Sequence, residues 1–183
     1  MARIEFPIRF VLSFILTVSI PLALLYVHPV APQNGWWWDF LMGAGMLAAG
    51  MMIAVPLIAP RAWVFYGGNV RALKFLLHLH RVVTYVVLAL VLVHIIGLVI
   101  IDETIVEYLK LSAPWSMLAA ISSSVLLVIL TGTSLYRTEL SLRYRAWRVW
   151  HVGLSVAAVT LMAVHVIDAG FYVNSPMKKA VFI

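Results

Sequence analysis

Apolar residues in this chain come in long unbroken runs, with neither the alternation of a half-buried strand nor the narrow stripe of a soluble surface helix. The runs cover about residues 8–27, 39–59, 74–101, 115–136 and 145–168. A bilayer core of about 30 Å is crossed by roughly 20 apolar residues in helical form, so each run predicts a membrane-spanning helix. The first lies where a signal peptide would, but its apolar stretch is too long for a signal core and no small-residue cleavage site follows it, so it reads as a retained helix. Pro56 and Pro60 break the second run at its end. The expected fold is all-α: a polytopic bundle of five transmembrane helices forming one domain over 1–183, with no soluble domain. The last residues, Ala180-Val181-Phe182-Ile183, look like the first turn of a sixth span.

Composition supports the pattern. Hydrophobic residues make up 64% of the chain and charged residues only 11%, with a mean hydropathy of +1.03. A soluble domain averages about a quarter charged residues, so this chain cannot cover a globule with polar surface. Disorder, which requires low hydrophobicity and high charge, is excluded too. There is no cysteine, which removes disulfides, thiolate metal sites and thiol chemistry.

The net charge of +6 would suggest nucleic acid in a soluble protein. Its distribution argues otherwise. Arg3, Arg9, Arg61, Arg71, Lys74, Arg81, Arg137, Arg143, Arg145 and Arg148 all fall on one side of the five spans, leaving only Lys110, Lys178 and Lys179 of the thirteen cations for the other. Asp102, Glu103 and Glu107 also lie on that second side. The asymmetry predicts a multi-pass protein of the inner or plasma membrane with a cytoplasmic N-terminus. It leaves no basis for a nucleic-acid partner. Trp36, Trp37 and Trp38 fall where an interfacial aromatic belt is expected. Gly43, Ala44, Gly45, Ala48, Ala49 and Gly50 give the second helix a small-residue face for close helix packing.

The histidines carry the chemistry. His80 and His94 are fourteen residues apart, and so are His151 and His165. Fourteen residues return a helical side chain to within about 40° of the same face, roughly 21 Å along the axis. Each of helices three and five therefore presents two histidines on one face, one toward each leaflet. A single helix separates them, so the two run in the same direction, and packing them together would give two histidine pairs, His80/His151 and His94/His165. Ionisable residues at membrane depth are costly and mark function. Facing imidazoles in a bundle core suit bis-histidine ligation of haem iron, the macrocycle supplying the other four ligands. His78 is rotated by about 160° from His94, onto the opposite face, and His28 lies in a loop beside Pro29. Arg81, Arg145 and Arg148 flank the inner pair and suit haem propionates, although membrane anchoring explains them equally. Tyr85, Trp147 and Trp150 lie close to the inner ligands in sequence.

These residues resemble a known family. Leu79-His80-Arg81 followed by His94 is similar to the third helix of the ferric reductase-like transmembrane domain. Arg145-Ala146-Trp147-Arg148-Val149-Trp150-His151 followed by His165 is similar to its fifth, and Asn174-Ser175-Pro176-Met177-Lys178-Lys179 resembles the lead-in to its sixth. The family includes ferric reductases, NADPH oxidases and the haem-binding subunit of the methionine sulfoxide reductase system. The resemblance, over about 60–183, implies two b haems at His80/His151 and His94/His165. It further implies electrons arriving from a cytoplasmic flavin and NAD(P)H module and leaving to an acceptor outside. No Gly-rich nucleotide fingerprint occurs in the chain, so the flavin module is expected on a partner or on a part of the protein beyond this sequence. Two other readings compete: a transporter using its histidines for protons or transition metals, which predicts intramembrane carboxylates, and a structural membrane subunit with incidental histidines.

Overall fold

The computed structural model describes residues 8–23, 35–58, 70–170 and 172–180, without the side chains of 8–11 and 70–72. The expectations for Arg3, His28, Pro60, Arg61 and 181–183, and for the side chains of Arg9 and Arg71, lie outside the described residues. All regular structure among them is helical: α1 (Ile8–Ala23), α2 (Trp36–Ala54), α3 (Val70–Ile101), α4 (Trp115–Leu135), α5 (Tyr144–Ala169) and the single turn α6 (Pro176–Lys179).

Four segments are long and apolar enough to cross a membrane: Trp36–Ile58, Leu73–Ile101, Trp115–Leu135 and Tyr144–Ala169. The protein is an integral membrane protein. Of the five expected spans these are the last four; the first is described only over Ile8–Ala23, with an apolar stretch of Leu12–Ala23. The second span starts earlier than its hydropathy suggested, because the three tryptophans are helical, with Trp36 and Trp37 stacked at 3.9 Å. Its far end tightens at Pro56 into a 3₁₀ turn over Val55–Ile58, since proline removes an amide donor from the ladder. Between α3 and α4, Asp102 opens a 3₁₀ segment (Glu103–Leu109) by accepting from the Thr104 amide at 2.9 Å. α5 stops at Gly170, whose φ of +64° suits a residue without Cβ.

The helices form two packages. α2 packs against α1 on one side and α3 on the other, and α4 lies along α5. Gly50 permits the first approach, because a Cβ there would sit 3.0 Å from the Val18 carbonyl oxygen. The Ser123 hydroxyl, buried between α4 and α5, donates to the Ala158 carbonyl at 2.8 Å. The packages touch through brief α2–α5 and α3–α4 contacts, and α3 and α5 scarcely meet at all. The apolar core runs along this seam, from Leu76 and Val87 on α3 to Leu127 on α4 and Met162 on α5.

Candidate functional site: paired histidines across the seam

The seam between α3 and α5 is where the paired histidines lie. Toward the Arg-rich end of the bundle, the rings of His80 and His151 face each other with centroids 6.4 Å apart. They line a largely apolar slot with Thr84, Leu127, Thr131 and Ser155. Thr84 and Ser155, each one turn beyond its histidine, donate their hydroxyls to the carbonyls of His80 and His151 at 2.8 and 2.6 Å. Both hydroxyls are thereby satisfied within their own helices and leave the slot apolar.

Toward the opposite end lie His94 of α3 and His165 of α5. Each is held by a backbone carbonyl. His94 Nδ1–H donates to Leu41 O of α2 at 2.8 Å, and His165 Nδ1–H donates to Ser116 O of α4 at 3.1 Å. A carbonyl can only accept, so the proton sits on Nδ1 and Nε2 keeps its lone pair. This is how metal-binding imidazoles are oriented and made more basic. The α2 backbone is shaped for the purpose at Gly45, one turn beyond Leu41. A Cβ there would lie 2.9 Å from His94 Nδ1 and 3.0 Å from Cε1. Gly43, by contrast, has open space where a Cβ would go.

The Arg-end pair is held less firmly. His151 Nδ1 lies 3.4 Å from Ser134 Oγ of α4. That hydroxyl gives its hydrogen to Leu130 O at 2.6 Å, so it accepts from His151 and again leaves Nε2 free. His80 Nδ1 is buried next to the Val55 backbone but has no partner in hydrogen-bonding geometry. The Trp147 ring lies 4.9 Å from that of His151, tilted by 35°, and the Arg137 guanidinium lies 5.8 Å from the Trp147 ring.

Among the described residues no three His, Asp or Glu side chains converge. What does converge is the His80/His151 pair, two imidazoles from different helices facing each other across the slot they line. The chain matches the family described as ferric reductase like transmembrane component over residues 44–162, well over half its length. It belongs to that family. Comparison with curated proteins and with solved structures finds no match. The ferric reductase-like match spans His80, His94 and His151 and stops three residues short of His165. Membership points to transmembrane electron transfer in general and implies a redox partner.

The other expected site residues are more dispersed. Arg81 borders the slot and is exposed. Arg148 is turned onto the Tyr144 ring at 5.8 Å, at the exposed start of α5. Trp150 and His78 are exposed. Sequence reasoning missed Ser134 and the Leu41 and Ser116 carbonyls. It placed Gly45 in a packing face without seeing that the position belongs to a histidine. A backbone acceptor leaves no signature in a side-chain pattern. Only the unusual density of small residues opposite α3 hinted at Gly45.

Proposed function

We propose that the chain carries electrons across the membrane through two b-type haems, one held by His80 and His151 and the other by His94 and His165. The observation that carries this reading is the 6.4 Å separation of the His80 and His151 rings across helices that otherwise barely touch. Two metal–imidazole bonds of about 2.0 Å each, extended by the ring radii, span a distance of about that size. Three of the four histidines also have Nδ1 engaged as a donor, which leaves Nε2 as the ligand atom. Bound there, haem iron supplies one-electron chemistry whose potential the axial ligands and their surroundings set.

The chain's own residues do the rest. α3 and α5 hold the two levels roughly 21 Å apart along their axes, and Leu127, Val87 and Met162 keep water from the path between them. The Arg-rich end faces the cytoplasm, where Arg81, Arg137 and Arg148 meet acidic groups and a flavin-dependent NAD(P)H reductase delivers electrons. The opposite end faces outward, toward the acceptor. Ile8–Ala23 belongs to the first of five spans.

An absorption spectrum of the detergent-purified protein, oxidised and then dithionite-reduced, tests the proposal together with pyridine haemochrome quantitation. Close to two six-coordinate b haems per chain is the expected result. A colourless protein from cells with ample haem would overturn it.

A further inference from the structure

Among the described glycines, Gly97 of α3 has the closest neighbour. A Cβ there would lie 2.3 Å from Leu41 Cδ2, 2.9 Å from Cδ1 and 3.1 Å from Cγ. The Leu41 side chain therefore occupies the space that any other residue at 97 would fill. Leu41 is the first buried residue of α2. Trp37 and Phe40, before it, are exposed and line an open apolar groove with Leu92 and Ile96 of α3. Close contact between the two helices at this end thus begins at Leu41.

Leu41 meets α3 twice. Its side chain sits on Gly97, and its carbonyl accepts from His94 Nδ1 one turn earlier on the same helix. Within α2 that carbonyl also receives the amide of residue 45, four positions on, and its second lone pair is the one left for the imidazole. Residue 45 is the glycine whose missing Cβ makes room for the His94 ring. The two helices are therefore interlocked, each offering a glycine to a side chain of the other. Leu41 Cγ is itself within 3.1 Å of the missing Gly97 Cβ. Turning the outer methyl groups alone would not make space for a larger residue, so α2 would have to back away from α3.

We propose that Gly97 is a positioning residue for the His94 ligand: by seating the Leu41 side chain, it sets the helix separation at which the Leu41 carbonyl holds the imidazole. The inference rests on the two-haem reading above. It ties a residue inside the segment matched to the family to one that precedes it, since the match begins at 44. A carbonyl on Nδ1 makes an imidazole a more basic ligand. A more basic axial ligand favours the oxidised iron, and axial ligands are one of the levers on haem potential. The seat at Gly97 accordingly keeps the far-end midpoint low.

Spectroscopic redox titration of the full chain in detergent tests this with Gly97→Ala, Leu41→Ala and the double variant. Gly97→Ala is expected to shift the far-end oxidised-to-reduced ratio about tenfold toward reduced at fixed potential, a rise of 59 mV for one electron. The Arg-end haem should keep its midpoint. Leu41→Ala removes the side chain that the new methyl would strike but keeps the carbonyl, so the double variant should return most of the way to the wild-type value. An unchanged far-end midpoint in a Gly97→Ala protein that keeps both haems overturns the proposal. So does equal loss of the far-end haem in Gly97→Ala and the double variant, which would make Gly97 a general packing residue. Should Gly97→Ala alone fail to accumulate, the double variant decides: recovery with a wild-type far-end midpoint sustains the seat, and continued absence overturns it. A wild type that binds no haem would sink the two-haem reading instead. The seat would then stand or fall on the 15N spectrum of the His94 ring, which should show the Nδ1-protonated form in the wild type and lose it in Gly97→Ala.

Discussion

The two histidine levels are built from the same residue type on the same helices, fourteen residues apart on each, yet their surroundings differ. At the far end both imidazoles donate to main-chain carbonyls, Leu41 in the second turn of α2 and Ser116 in the first turn of α4. Those acceptors move only if a helix moves. At the Arg-rich end one imidazole leans on a serine hydroxyl at 3.4 Å and the other has a buried Nδ1 without a partner in hydrogen-bonding geometry. The one side-chain contact there, at 3.4 Å, is longer than either carbonyl contact at the far end. The far-end level is therefore the more firmly held of the two and the Arg-end level the less.

Single-ligand variants should break the comparison most deeply. His94→Ala or His165→Ala is expected to remove one of the two haems while leaving reduction of the other measurable, and His80→Ala or His151→Ala should do the converse. Pyridine haemochrome assays with low-temperature difference spectra read this directly. Both haems surviving in all four variants would refute the ligand assignment.

Gly45→Ala comes next. Its methyl group would overlap the His94 ring, and overpacking of this kind costs about 1–3 kcal/mol, or roughly tenfold or more in far-end haem retention. Gly43→Ala, into open space, serves as the neutral control. Equal haem content in the two variants would mean that the ring does not occupy that niche.

Ser134→Ala should act on the other level alone. Loss of one modest hydrogen bond is worth about 0.5–1.5 kcal/mol. The Arg-end haem should therefore bind up to about tenfold more weakly on dilution, with Ser134→Thr close to wild type. A shift confined to the far-end haem would contradict the assignment.

The smallest effect concerns residues 172–180, where the Tyr172 hydroxyl donates to Asp39 of α2. Burial and the neighbouring Asp39 carboxylate hold the Tyr172 phenol above its ordinary range. A phenol that keeps its proton in the folded state and loses it near pH 10 when released adds stability below pH 10, and that stability declines as pH rises further. Hydrogen exchange of residues 172–180 should therefore accelerate above about pH 10, and Tyr172→Phe should flatten that dependence. An identical pH profile in the variant would show that the phenol plays no part.

Much of this could be read from the residues alone, for a physical reason. Spans α2–α5 and the fourteen-residue spacing follow from hydropathy and helical geometry, both of which the chain displays one residue at a time. Three things were not visible. The helical start at Trp36 escaped because aromatic residues score poorly on hydropathy. The Leu41 and Ser116 acceptors escaped because every residue has a carbonyl, and only the packing of α2 on α3 and α4 on α5 selects these two. The burial of Lys178 escaped because nothing local in the lead-in Asn174–Lys179 says which of its two adjacent lysines the fold covers.

The sparse contact between α3 and α5 has a consequence for how the bundle is held together. The two packages share the apolar core along the seam, but α3 and α5 themselves add little to it, so a molecule bridging the histidines would join helices that otherwise scarcely meet. Ligand-linked stability grows as RT ln(1 + [L]/Kd), about 2.7 kcal/mol at a hundredfold excess over Kd. On the two-haem proposal, cofactor binding across α3 and α5 would add stability at the place where the helices themselves supply least.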